Sequence, residues 1–140
     1  MASDVAHLIK VASNEISRNI NDFAQKYSLT GTQVQIIYYL VNSSKTDIFQ
    51  KDIEKEFNIR RSTTTNILKT MEKNDLIIRR SVDSDSRLKR IVLSDKSKYI
   101  QDDIERFMDK NDQEILSALG ALERRSFIHA LKKIPQKLKK

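Results

Sequence analysis

The chain has 140 residues, 39% of them apolar, which is enough for one domain or two small ones sharing a core and short for a multi-domain enzyme. Two glycines, one proline and many Leu, Ile, Lys and Glu residues predict mostly helix with short connections, while the lack of cysteine excludes disulfides, thiolate metal ligands and a thiol redox switch within it. The net charge of +7 favours an anionic partner, and residues 60–98 hold eleven basic side chains against five acidic ones, so nearly all of the excess lies in that stretch.

Val5, Ile9, Ala12, Ile16, Ile20, Phe23 and Tyr27 recur every three or four residues and predict a long first helix that ends near Tyr27. SLTG breaks the pattern, and Thr30 is placed to cap a second, densely apolar helix over Gln33 to Val41. After the turn NSSKTD, the stretch Ile48 to Phe57 puts Ile48, Phe49, Ile53 and Phe57 on one face, and Asn58 stops it. STTTNILKTMEKN follows, with Ile67, Leu68 and Met71 on a buried side and Ser62, Thr63, Thr65, Asn66, Lys69 and Lys73 on the other. Two short helices in tandem, the second opening on small polar residues, form a helix-turn-helix pattern.

Leu76 to Ile78 and Ile91 to Leu93 are branched apolar runs flanking RRSVDSDSRLKR, which therefore reads as the tip of a β-hairpin. Acids inside this basic run suit a shaped element: Asp and Ser side chains bond backbone amides in turns, and an acid at the tip can hold Arg87 by a charge-assisted hydrogen bond. From Ser94 a second long stripe runs through Ile100, Ile104, Ile115 and Leu119 to a stop at Gly120, and a last helix carries Leu122, Phe127, Leu131 and Ile134 ahead of Pro135. The expected fold is mainly α with a small β-hairpin wing: a winged helix-turn-helix core over 30–93, and a helical dimerisation layer formed by 1–28 and 94–140 in a single 140-residue protomer.

A helix-turn-helix followed by a wing places its second helix in the DNA major groove. Two stretches, IRRSTTTNILKTMEKNDLIIRR and DSDSRLKRIVLSDKSK, carry a resemblance to the MarR family of winged-helix transcription regulators that extends over nearly the whole chain. The resemblance implies a homodimer held by the first and last helices, with Asp85 and Arg87 at the wing tip and Arg87 reaching the minor groove. Thr63, Thr65 and Asn66 fall where relatives contact bases and phosphates. Two positions depart from the pattern: Asp75 stands where Gly is usual, and Thr64 where an apolar residue is usual.

The expected DNA contacts are thus Arg61, Ser62, Thr63, Thr65, Asn66 and Lys69 on the recognition helix, and Arg79, Arg80, Asp85, Arg87, Lys89 and Arg90 on the wing. The interface is expected to use Val5, Ile9, Ile16, Phe127, Leu131 and Ile134. Phe23, Tyr27, Tyr38 and Tyr39 are candidates to line a pocket for a small aromatic or anionic ligand, although aromatics at helical spacing are more often core. His7 and His129 lie near opposite ends of the chain and make a weak case for a metal, and no cofactor is expected. No enzyme signature stands out, since Gly31 and Gly120 cannot build a phosphate-cradling loop. With no signal-like leader and no apolar run of about eighteen residues, the chain reads as soluble and cytoplasmic. The leading expectation is a sequence-specific regulator, most often a repressor in such a family, on a pseudo-palindromic operator. The alternatives are a winged-helix protein-interaction module and a non-specific DNA-binding protein.

Overall fold

The computed structural model describes residues 4–82 and 85–140, with Ser86 described by its backbone alone. In chain order come α1 (Val5–Gln25), α2 (Gly31–Asn42), α3 (Gln50–Phe57), α4 (Arg61–Lys73), β1 (Ile77–Val82), β2 (Asp85–Leu93), α5 (Asp95–Ser117) and α6 (Ala121–Leu138). The strands form a two-stranded antiparallel sheet, so the architecture is mainly α with a hairpin wing behind a helix-turn-helix. Among the described residues no helix is long and apolar enough to cross a membrane. Two compact units are present, one reaching Glu105 and the other Arg106–Lys140.

Local chemistry sets most of the element ends. Asp4 caps α1 by accepting from the His7 amide at 3.0 Å. The helix closes at Gln25, two residues before the expected Tyr27, because Ser28 turns left-handed (φ 58°) and the Leu29 amide reaches back to the Ala24 carbonyl at 3.0 Å. Thr30 and Gln33 cap each other reciprocally at the start of α2. Asn58, also left-handed (φ 52°), ends α3 and makes the turn into α4. Asp75 adopts φ 61° at the position where the family pattern has glycine; the Leu76 amide then bonds the Met71 carbonyl at 2.9 Å, and the chain leaves for β1. Ser94 caps α5 through the Ser97 amide.

Three further features differ from expectation. Ile48 lies outside α3, buried, with its carbonyl accepting from the Ile91 amide of β2 at 2.7 Å; a β-branched residue has been recruited to the sheet rather than the helix. The strands are longer than two apolar triplets. Arg79 pairs with Ile91, Arg80 with Arg90 and Ser81 with Lys89, so these basic residues ride on the arms of the hairpin and not in its tip. The expected turn residues Asp83 and Ser84 lie outside the described residues. Finally, α6 runs through Pro135 to Leu138, where it was expected to end before the proline. The ring removes one donor, for the Leu131 carbonyl, and near an exposed helix end water can serve that carbonyl instead.

The core of the first unit is built from Ile20, Phe23 and Ala24 of α1, Val34, Ile36 and Ile37 of α2, Ile53 of α3, Leu68 and Met71 of α4, Ile77 and Ile91 of the hairpin, and Ile100 and Ile104 of α5. Thr64 is fully buried as well. Its hydroxyl donates to the Arg60 carbonyl at 2.9 Å, so the departure from an apolar residue is satisfied within its own helix. The outer part of the α1 stripe stays uncovered: Val5 is 60% exposed, and Leu8, Ile9 and Val11 are exposed with it. In the second unit α6 has no buried residue, and Leu122 is 96% exposed.

Candidate nucleic-acid interface

The stop at Asn58 and the short link Ile59-Arg60 aim α4 away from α3 with its first turn free of acidic residues. Arg61, Ser62, Thr63, Asn66 and Lys69 are exposed along this helix, while Thr65 is half-buried against α3. Three threonines return their hydroxyls to the helix itself: Thr64 to the Arg60 carbonyl, Thr65 to the Arg61 carbonyl at 2.9 Å and Thr70 to the Asn66 carbonyl at 3.1 Å. The outward surface near the N-terminus therefore offers Ser62, Thr63 and Asn66 flanked by cations.

The wing adds charge in register. Pleat alternation puts Arg79 on the face shared with buried Ile77 and Ile91, which explains why its side chain is half-covered. Its Nε lies 3.8 Å from the Glu72 carboxylate, and Nε and Nη2 are buried without a hydrogen-bond partner. Arg80 and Arg90 face each other across the strands, a like-charge pair that destabilises a bare sheet. Asp47 offsets part of this by meeting Arg90 at 3.4 Å. Lys89 donates to the Ser81 hydroxyl at 2.6 Å.

At the far end, Asp85 accepts from the Arg87 amide at 2.9 Å and from the guanidinium Nε and Nη2 at 3.1 Å each. The guanidinium and then the amide hold the Asp85 carboxyl below the usual carboxylate range. Arg87 is nonetheless 89% exposed, so it is oriented without being covered. At the base of the wing, Lys98 and, more weakly, Arg80 lower the Asp95 carboxyl.

Between α3, α4 and the hairpin lies a cleft of about 430 Å³, lined in part by Phe49, Gln50, Arg61, Thr65, Arg79 and Lys89. The fold thus brings Arg61, Thr65, Arg79, Arg87 and Lys89 of the expected set around one depression. Gln50 was missed by sequence reasoning. The signal for it was its place on the first helix of a helix-turn-helix, an element that crosses the DNA backbone in such motifs. Among the aromatic candidates, Phe23 and Tyr27 pack at 5.5 Å between ring centres and Tyr27 donates to Asp103, while Tyr39 packs edge-on against Phe57 at 5.9 Å. Tyr38 is half-buried. Among the described residues no group of three or more His, Cys, Asp or Glu is placed to hold a metal ion.

Residues 27–88 match the MarR family. The chain is 36% identical to the transcription regulator MarR from Oenococcus oeni PSU-1, whose crystal structure aligns with a TM-score of 0.86 over 95% of this chain and 99% of that one. This chain belongs to the MarR family. As a MarR-family regulator it is also 27% identical over 101 residues to the HTH-type transcriptional regulator SarZ of Staphylococcus aureus, covering 72% of this chain and 67% of that protein. The structure of the S. aureus MepR–DNA complex aligns with a TM-score of 0.87 over 98% of this MarR-family chain and 100% of MepR. At 23% identity that last likeness speaks for the fold alone.

Proposed function

We propose that this DNA-binding transcription regulator reads a pseudo-palindromic operator as a homodimer, with α4 in the major groove and Arg87 of the wing in the adjacent minor groove. The observation that carries the reading is the Asp85–Arg87 fork: an almost fully exposed guanidinium oriented at the end of a hairpin, beside a helix that presents Ser62, Thr63 and Asn66. Arg61, Lys69, Arg79, Arg80, Lys89 and Arg90 supply phosphate contacts, and a phosphate between Arg80 and Arg90 would relieve their mutual repulsion. Residues 30–93 form the DNA-reading part. DNA is bound in the solved complex of MepR, a relative in fold.

The homodimer reading is supported by the uncovered apolar residues of α1, Val5 and Ile9 among them with Ile16 half-covered, and of α6, where Leu131 is exposed and Phe127 and Ile134 are half-covered. Burying such faces against a second copy gains roughly 25 cal/mol per Å². Two recognition helices related by a two-fold axis call for half-sites about one helical turn apart. Occupying such a site at a promoter makes the protein a repressor. Release follows when a small aromatic or anionic ligand binds better to a dimer whose wings are wrongly spaced for DNA.

The test is fluorescence-anisotropy titration of the DNA upstream of its own gene against a scrambled duplex at two salt concentrations, with sedimentation to give the oligomer. The reading requires a dimer and, for the upstream DNA or for sites selected from a random library, a preference of at least about a thousandfold that weakens steeply with salt. A monomer at micromolar concentration, or equal affinity for every duplex, overturns it.

A further inference from the structure

A hydroxyl has one hydrogen to give, and in Thr65 it goes to the Arg61 carbonyl of the same helix at 2.9 Å. The Thr65 oxygen in turn accepts from Gln50 Nε2 of α3 at 2.8 Å. The same nitrogen reaches the Glu54 carboxylate at 3.1 Å and the Arg61 carbonyl at 3.4 Å, so its two hydrogens are divided among acceptors on both helices. Gln50 is the first residue of α3, and that end is itself tied down. Asp52 accepts from the Phe49 amide at 2.9 Å and from Lys45 Nζ at 2.6 Å. Burial pushes the Asp52 carboxyl up, but the Lys45 and Phe49 contacts outweigh it, and the group is held on the charged side of its usual range.

We infer that Gln50 is a positioning residue for DNA reading: it latches the first turn of α4 to α3 through Thr65, and Thr65 is the strike plate of that latch, not a base-reading side chain. The inference rests on the reading above that α4 enters the major groove, and it replaces the expectation that Thr65 contacts bases. With the Thr65 donor spent internally, sequence is read by Ser62, Thr63 and Asn66, which remain exposed on either side of it. The latch fixes the angle at which those three approach the base edges, and contacts to bases lose strength steeply as hydrogen-bond geometry degrades.

The test compares Gln50→Met, which keeps length and loses the donor, Thr65→Val, which keeps shape and loses the hydroxyl, their combination, and Thr65→Ser, which keeps the hydroxyl. Each full-length variant is titrated with operator and with scrambled duplex, and the DNA-free proteins are followed by amide hydrogen exchange and thermal melting. The expected result is a loss of about fivefold in operator affinity for each single variant, the size of one net hydrogen bond. The combined variant loses no more than either single one, scrambled-duplex affinity is unchanged, Thr65→Ser retains wild-type binding, and the Thr64 and Thr65 amides exchange faster in Gln50→Met. If Thr65→Val loses affinity while Gln50→Met does not, or the two losses multiply, Thr65 reads a base and the inference is wrong. If melting falls while the operator-to-scrambled ratio holds, the bond is merely structural and the inference is equally wrong. Wild-type protein that binds all duplexes alike defeats the operator reading instead, and the exchange of the DNA-free variants still decides whether the latch exists.

Discussion

Replacing Asp85 by Asn sets an electrostatic gain against an ordering cost, and the geometry of the wing says where each should appear. The Asp85–Arg87 fork occupies two of the five N–H donors of a guanidinium, leaving three for DNA. Asn keeps the size but turns one acceptor into a donor facing Nη2, so the fork opens. Removing a negative charge beside the phosphates strengthens binding to any duplex. Freeing a long side chain that must be ordered again on binding weakens only the contacts needing that order, by about two- to tenfold for one immobilised side chain. The operator-to-scrambled ratio should therefore fall by about two- to tenfold while scrambled-duplex affinity holds or rises. Arg87→Ala is the companion: it should cost operator affinity about tenfold or more and make the log–log salt dependence shallower by about 0.9, the share of one cation. Anisotropy titrations of both duplexes between roughly 50 and 200 mM salt measure all three quantities. An unchanged ratio in Asp85→Asn refutes the orienting role, and an unchanged slope in Arg87→Ala refutes contact between that guanidinium and DNA.

Three other outcomes are expected. Gly31→Ala places a Cβ 2.4 Å from Asn21 Oδ1 and 3.2 Å from Ile20 Cγ2; Asn21 must swing away and give up its bond to the Gly31 amide. Urea unfolding should register a loss of about 1 kcal/mol, and a neutral result would mean that α1 and α2 adjust freely. Thr64→Val trades a buried hydroxyl for a methyl while the Arg60 carbonyl keeps its backbone partner, the Thr64 amide, so stability should hold or rise by up to about 1 kcal/mol; a loss larger than that shows the hydroxyl is needed. For pH, the depressed Asp85 carboxyl keeps its charge throughout the range above its ordinary value of 3.8, and the wing-tip pair is lost only as pH falls through the lowered value. The Arg87 Nε–H resonance should stay ordered from about pH 8 to about pH 5, and a transition near pH 6 would contradict the assignment.

Periodicity made the helices readable, because burial on one side leaves a 3.6-residue signature that α4 carries plainly, with Leu68 and Met71 buried. The same signature in α1 is misleading when read as the core of one chain: Ile20 and Phe23 are buried, yet Val5 and Ile9 repeat the pattern and lie open. Ile48 could not be assigned from local pattern, since its hydrogen bond to Ile91 spans forty-three residues. The family-like wing residues were legible as types, whereas the division of labour among the threonines was not. Thr63 and Thr65 look alike in the sequence, and only the position of Gln50 on a neighbouring helix separates an exposed hydroxyl from one already engaged.

The single bond between the Ile48 carbonyl and the Ile91 amide sits at the root of a lever. Four residue steps of strand lead from Ile91 to Arg87, a reach of about 13 Å, so a tilt of about 10° at the root swings Arg87 by about 2 Å. A small angular change at the root is thus magnified along the strand before it reaches Arg87. The stiffness of this joint, anchored just ahead of α3, governs how steadily the far end of the wing is held.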